Sequence, residues 1–140
     1  VVVTNQSVIA RGLCTIKELS AIHKKMETEL GGQGAFVEAI YFCPHHPHGG
    51  FEGEIPSYKI PCECRKPSAG MLLEAKERFN IDLEQSFLVG DSPRDIEAGQ
   101  NAGVTTIRVK TGHGLKPHTV VPNYYVDSLV EAVDIIANET

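Results

Sequence analysis

The chain has 140 residues, of which 41% are hydrophobic and 22% charged, and this suits a single domain, 1–140, with one core. The formal net charge is -5 and there is no lysine or arginine run, so a nucleic-acid partner is not expected. No apolar run reaches membrane-span length and no signal-peptide pattern opens the chain, so no membrane partner and a cytoplasmic location are expected.

Val1, Val2 and Val3 followed by Thr4 and Asn5 read as a buried strand with a polar end. A chain that opens inside a strand has nothing before it to set the register, so a fragment is expected. After a polar loop from Gln6 to Gly12, Thr15 caps a helix, with Glu18 as its capping-box partner. Ile16, Leu19, Ile22, Met26 and Leu30 recur at helical spacing, predicting one apolar face that ends at Gly31 and Gly32. Val37 to Phe42 is a second predicted strand. A loop rich in Pro, Gly, His and Cys spans 43–67; loops of this length are uncommon unless functional or tied down.

A helix is predicted from Ser68 to Phe79 and a short buried strand from Phe87 to Gly90. Ser92 and Pro93 suit the cap and first position of the next helix, which Gly103 stops. Val104 to Val109 is another strand, Lys110 to Asn123 a surface loop, and Tyr124 to Val126 a short strand. Ser128 caps the last helix with Glu131 as partner, and Leu129, Val133 and Ile136 are expected on its inner face. Alternating strands and helices predict an α/β fold of three layers, with a parallel sheet between helices. Ligands in such sheets bind beyond the carboxyl ends of the strands, where Thr4 and Asp91 both fall.

Three of the four cysteines cluster in the long loop. The spacing is Cys43-x-His45, then sixteen residues, then Cys62-x-Cys64. Thiolate and imidazole are the ligands Zn²⁺ prefers, and four of them close a tetrahedral structural site. Such a site would fold a loop with little apolar surface of its own. His46 and His48 are expected at the surface, and Cys14 as a small buried hydrophobe.

Three segments suit an anion. Thr4-Asn5-Gln6-Ser7 combines a hydroxyl with main-chain N–H groups in a turn. Arg65-Lys66-Pro67 places two cations directly after the zinc ligands. Gly90-Asp91-Ser92-Pro93-Arg94-Asp95 places one carboxylate at a strand end and another at a helix start, a pattern compatible with Mg²⁺. Taken singly, each also reads as a turn, a solvated basic pair or an acidic helix N-terminus.

In order, these segments resemble the haloacid dehalogenase (HAD) superfamily: a hydrophobic strand ending in Thr4, Lys66 as its lysine, and the GDxxxD pattern from Gly90 to Asp95. TNQS-x-IARG, CPHHP, CxCRKPxxGM and VGDSxxDIxAG are similar to its histidinol-phosphatase-like branch, which includes phosphatases of histidinol phosphate and of heptose 1,7-bisphosphate, the latter being the nearer pattern. The resemblance runs from Val1 to about Gly112. It implies a Rossmann-like fold and a Mg²⁺-dependent phosphatase acting on a small sugar phosphate through an aspartyl-phosphate. A monomer is expected. Thr4 and Lys66 are then catalytic. Asn5, Gln6, Ser7, Arg65 and Ser92 contact substrate, and Asp91 binds Mg²⁺, with Asp95 as a ligand or behind one.

The superfamily's DxDGT motif, which carries the nucleophile on the central strand, is not found among Asp82, Asp91, Asp95, Asp127 and Asp134. The 140 residues alone are therefore expected to lack activity and to fold poorly without that strand. A zinc-stabilised binding module without catalysis is the competing expectation, and histidinol phosphate is the competing substrate.

Overall fold

The computed structural model describes residues 1–113 and 119–140. It separates into two compact units, Val1–Arg65 and Lys66–Thr140. All strand pairs are parallel, but they form two sheets, one within each unit, where the sequence suggests one.

In the first unit, β1 (Val2–Asn5) pairs with β2 (Ile40–Cys43), and α1 (Ile16–Gly32) is the crossover between them. The strand expected from Val37 is shorter, because β1 offers only four residues to pair with it. Thr15 and Glu18 form the expected reciprocal capping box. Of the expected apolar stripe on α1 only Leu19 is buried, whereas Ile16 and Ile22 are exposed. The helix continues through Gly31 and Gly32 and ends at Gln33.

The register sets Thr4 beside Phe42 and Asn5 beside Cys43. The chain then turns, with Gln6 N–H bonded to the Cys43 carbonyl at 2.8 Å and Ile9 and Ala10 buried beneath. Gly12, at φ 70, passes so close to the loop that a Cβ there would lie 2.0 Å from the Gly53 carbonyl oxygen. A neighbouring bond, Ile55 N–H to the Ala10 carbonyl at 2.8 Å, ties the loop down at the same place. Within that loop only Pro56–Tyr58 forms a helical turn, of the 3₁₀ type.

The second unit holds α2 (Gly70–Phe79), β3 (Phe87–Gly90), α3 (Pro93–Ala102), β4 (Thr105–Val109), β5 (Tyr124–Val126) and α4 (Leu129–Glu139), with sheet order β3-β4-β5. α2 begins two residues later than predicted. α3 starts at the Ser92 cap with Pro93 and stops at Gly103, which takes the left-handed conformation at φ 80. One sheet face buries Ile107, Val109 and Val126 against Ala132, with Ile135 and Ile136 alongside.

The expected inner face of α4 is therefore corrected. Leu129 and Val133 are 63% and 56% exposed, and Ala132, with Ile136, faces the core. The helix carries two apolar stripes, and the small Ala132 allows close approach along one of them. The Glu131 carboxylate closes back on Asp127 N–H and not on Ser128. Residues 114–118 of the predicted 110–123 loop lie outside the described residues. Among the described residues no helix is long and apolar enough to cross a membrane.

Candidate functional site

Cys43 at the end of β2, His45 just beyond it, and Cys62 and Cys64 at the far end of the loop present donor atoms within 4.8 Å of one another. Cys43 Sγ lies 3.7 Å from His45 Nδ1, 3.5 Å from Cys62 Sγ and 2.8 Å from Cys64 Sγ. Cys64 Sγ lies 3.4 Å from Cys62 Sγ and 3.3 Å from His45 Nδ1. A zinc tetrahedron with bonds of about 2.3 Å has edges of about 3.8 Å, so the donor set fits that ion after small adjustments.

Electrostatics agree with the fit. Burial pushes the Cys43 thiol up, and burial together with the neighbouring sulfurs pushes Cys64 up as well. At Cys62 burial acts in the same direction, but hydrogen bonds from Cys64 and the Arg65 N–H outweigh it and hold that thiol below its ordinary value. Three thiols this close do not all ionise unless a cation joins them, and a bound divalent metal would release their protons. Cys14 lies outside the cluster, half-buried and bonded to the Thr15 carbonyl, so it is less enclosed than expected. His46 and His48 pair locally, with the His46 ring also against Phe51.

Arg65 follows Cys64 directly, and its Nη1 donates to the His45 carbonyl at 3.1 Å. The guanidinium is thus held by the main chain of a candidate ligand. In the same unit, Gln6 Nε2 donates to Thr4 Oγ1 at 3.2 Å, and the Ser7 carbonyl accepts the Arg11 N–H.

In the second unit, Lys66 Nζ lies 2.6 Å from Asp95 Oδ1. The other oxygen of Asp95 accepts from Ser92 N–H at 3.0 Å and from Ser92 Oγ at 2.9 Å. Asp95 is buried with both oxygens engaged, one on Lys66 and the other at the start of α3. Ser92 Oγ is likewise taken up in the cap.

Asp91, at the end of β3, is more open. Burial pushes its carboxyl up, but hydrogen bonds from the His113 N–H and ring outweigh that and hold it below the ordinary carboxylate value. It stands ionised as a hard oxygen donor, which suits Mg²⁺ as one ligand among waters and phosphate oxygens. Two features here were not read from the sequence. His113 caps Asp91, and Arg108 on β4 is buried. The only signal was Thr106 and Arg108 falling on one face of a strand whose other face carries Ile107 and Val109.

A HAD-hydrolase-like family profile matches residues 63–132. A Pasteurella multocida protein named D-glycero-beta-D-manno-heptose-1,7-bisphosphate 7-phosphatase is 40% identical over 141 residues, covering 97% of this chain and 72% of that protein. The chain belongs to the HAD-hydrolase-like family. A Yersinia pestis HAD relative of the same name is 42% identical over 113 residues, covering 80% of this chain. The chain spans only 58% of the Yersinia protein's length. Among solved HAD structures, the D,D-heptose 1,7-bisphosphate phosphatase of B. bronchiseptica, complexed with magnesium and phosphate, superposes with a TM-score of 0.82 at 35% identity, covering 99% of this chain and 75% of that one.

Proposed function

We propose that the protein carrying this chain is a Mg²⁺-dependent phosphatase that removes the 7-phosphate of D-glycero-D-manno-heptose 1,7-bisphosphate. The observation that carries this reading is the Cys43-His45-Cys62-Cys64 cluster running directly into Arg65 and Lys66, in a chain whose relatives bear that enzyme's name.

Each residue has a role in keeping with its chemistry. Cys43, His45, Cys62 and Cys64 hold a structural Zn²⁺ with no open position, so this metal shapes the loop and takes no part in the reaction. Asp91 contributes a ligand to Mg²⁺, which when bound screens negative charge on the phosphoryl group. Thr4 donates its hydroxyl to a phosphoryl oxygen, with the Gln6 side chain fixing its rotamer. Lys66, held by Asp95, neutralises charge that develops in the transition state. Arg65 presents a planar fork to the substrate's second phosphate. Asn5 and Ser7 line the substrate through main-chain or hydroxyl groups, and Ser92 acts at one remove by capping α3. The aspartyl-phosphate route needs a nucleophilic aspartate in a DxDGT setting, which none of Asp82, Asp91, Asp95, Asp127 and Asp134 occupies. Three clustered cysteines kept reduced for metal suit a cytoplasmic enzyme, here taken as a monomer.

Phosphate release from heptose 1,7-bisphosphate and from histidinol phosphate, measured side by side on the natural-length protein with and without Mg²⁺, tests this. The heptose substrate should be hydrolysed faster, and only with Mg²⁺. Faster turnover of histidinol phosphate would move the assignment to that substrate. Zinc binding with no turnover of either would leave a binding module.

A further inference from the structure

The chain beyond β4 folds back onto Asp91. His113 donates its main-chain N–H to Asp91 Oδ2 at 2.8 Å, and its ring Nδ1 lies 3.2 Å from the same oxygen. Gly112 permits the approach. It sits at φ +64, and a Cβ there would lie 2.2 Å from Asp91 Oδ2 and 3.2 Å from its Cγ. From below, Arg108 extends Nη2 to 3.5 Å from the His113 carbonyl, with the Tyr125 ring 5.6 Å from its guanidinium carbon. Arg108 is 1% exposed, and a cation that deep is retained only when its surroundings bind it.

We propose that Gly112 and the main chain of His113 form a positioning clamp for Asp91, anchored by Arg108. The clamp occupies Oδ2 and leaves Oδ1 as the oxygen offered to Mg²⁺. This rests on reading Asp91 as a magnesium ligand. Mg²⁺ demands near-ideal octahedral geometry, so a carboxylate already fixed in rotation binds it better than one that must be ordered on binding. None of the three residues touches the metal; they act through Asp91. A side chain at position 112 therefore enters only by displacing the Asp91 carboxylate, while position 113 needs its N–H more than its imidazole.

Mn²⁺, a paramagnetic substitute for Mg²⁺, can be titrated by electron paramagnetic resonance into the natural-length, zinc-loaded protein. Gly112→Ala should weaken binding by about tenfold, the usual scale for losing support behind a ligand, and Asp91→Asn at least as much. Gly103→Ala controls for backbone strain: it has φ +80 with nothing within 4 Å of the added Cβ, and should bind like wild type. His113→Ala keeps the N–H and should stay within about twofold of wild type, well short of a lost supporting contact.

Amide exchange at His113 reads the clamp without new strain: slow in wild type, fast in Asp91→Ala. Gly112→Ala binding as tightly as Gly103→Ala, His113→Ala losing as much as Gly112→Ala, or unchanged exchange in Asp91→Ala each overturns the clamp. Asp91→Asn binding Mn²⁺ like wild type overturns the metal reading of Asp91 along with it.

Discussion

Lys66 and Asp95 form an ion pair 2.6 Å long, 29 positions apart in the chain and nearly covered from solvent. The same carboxylate closes the capping box of α3, so one side chain serves a helix end and a cation together.

Removing that carboxylate leaves a nearly buried ammonium with a lost partner. Asp95→Asn should destabilise the protein by about 3 kcal/mol in urea unfolding. Ser92→Ala, which takes away the cap but leaves the pair, should cost only about 1 kcal/mol. Equal effects would mean that the pair adds nothing beyond the cap.

Metal analysis of the purified protein should find one zinc per chain, with X-ray absorption showing sulfur neighbours at about 2.3 Å. Cys64→Ser should lose most of that zinc and make residues 43–65 sensitive to protease, because the loop buries few apolar side chains of its own. Retained zinc in Cys64→Ser would remove this residue from the ligand set.

Gly99 lies where α3 crosses the sheet, and a Cβ there would lie 2.6 Å from Thr106 Cγ2, 3.1 Å from Leu88 Cδ2 and 3.2 Å from Val104 Cγ2. Gly99→Ala gains helix propensity but overpacks this contact, with an expected net loss of roughly 1–3 kcal/mol by thermal unfolding. A stabilised variant would show that helix and sheet can separate freely.

The pH dependence of α1 follows from Glu18. Hydrogen bonds from the Thr15 N–H and then the Thr15 hydroxyl lower its pKa from the ordinary 4.5. A lowered carboxylate adds stability that is complete above 4.5 and disappears as pH falls through the folded-state value. A carboxyl NMR titration should place the Glu18 midpoint below 4.5 in wild type and nearer to it in Thr15→Ala, which removes the hydroxyl bond. Identical midpoints would count against the capping box.

Signals that act over three or four residues were legible. Thr15 with Glu18, and Ser92 with Pro93 and Gly103, mark helix ends because cap and first turn are neighbours along the chain. The four metal-type donors stood out because few other uses bring three cysteines and a histidine into one polar loop. The inner stripe of α4 was misread because Leu129-Val130 and Ile135-Ile136 are equally apolar. Local periodicity has no term for which of them meets β5.

The sequence by itself determined the parallel α/β alternation, the N-terminal caps of α1 and α3 and the grouping of four candidate metal donors in one loop, all properties of residue type and short spacing. Only the tertiary structure decided that Asp95 holds Lys66, that Arg108 is buried, and that Gly112 and His113 close on Asp91. Those contacts join residues whose proximity comes from strand pairing and from how closely two backbones approach. Steric fit of that kind is set by the folded chain as a whole and leaves no periodic trace along it.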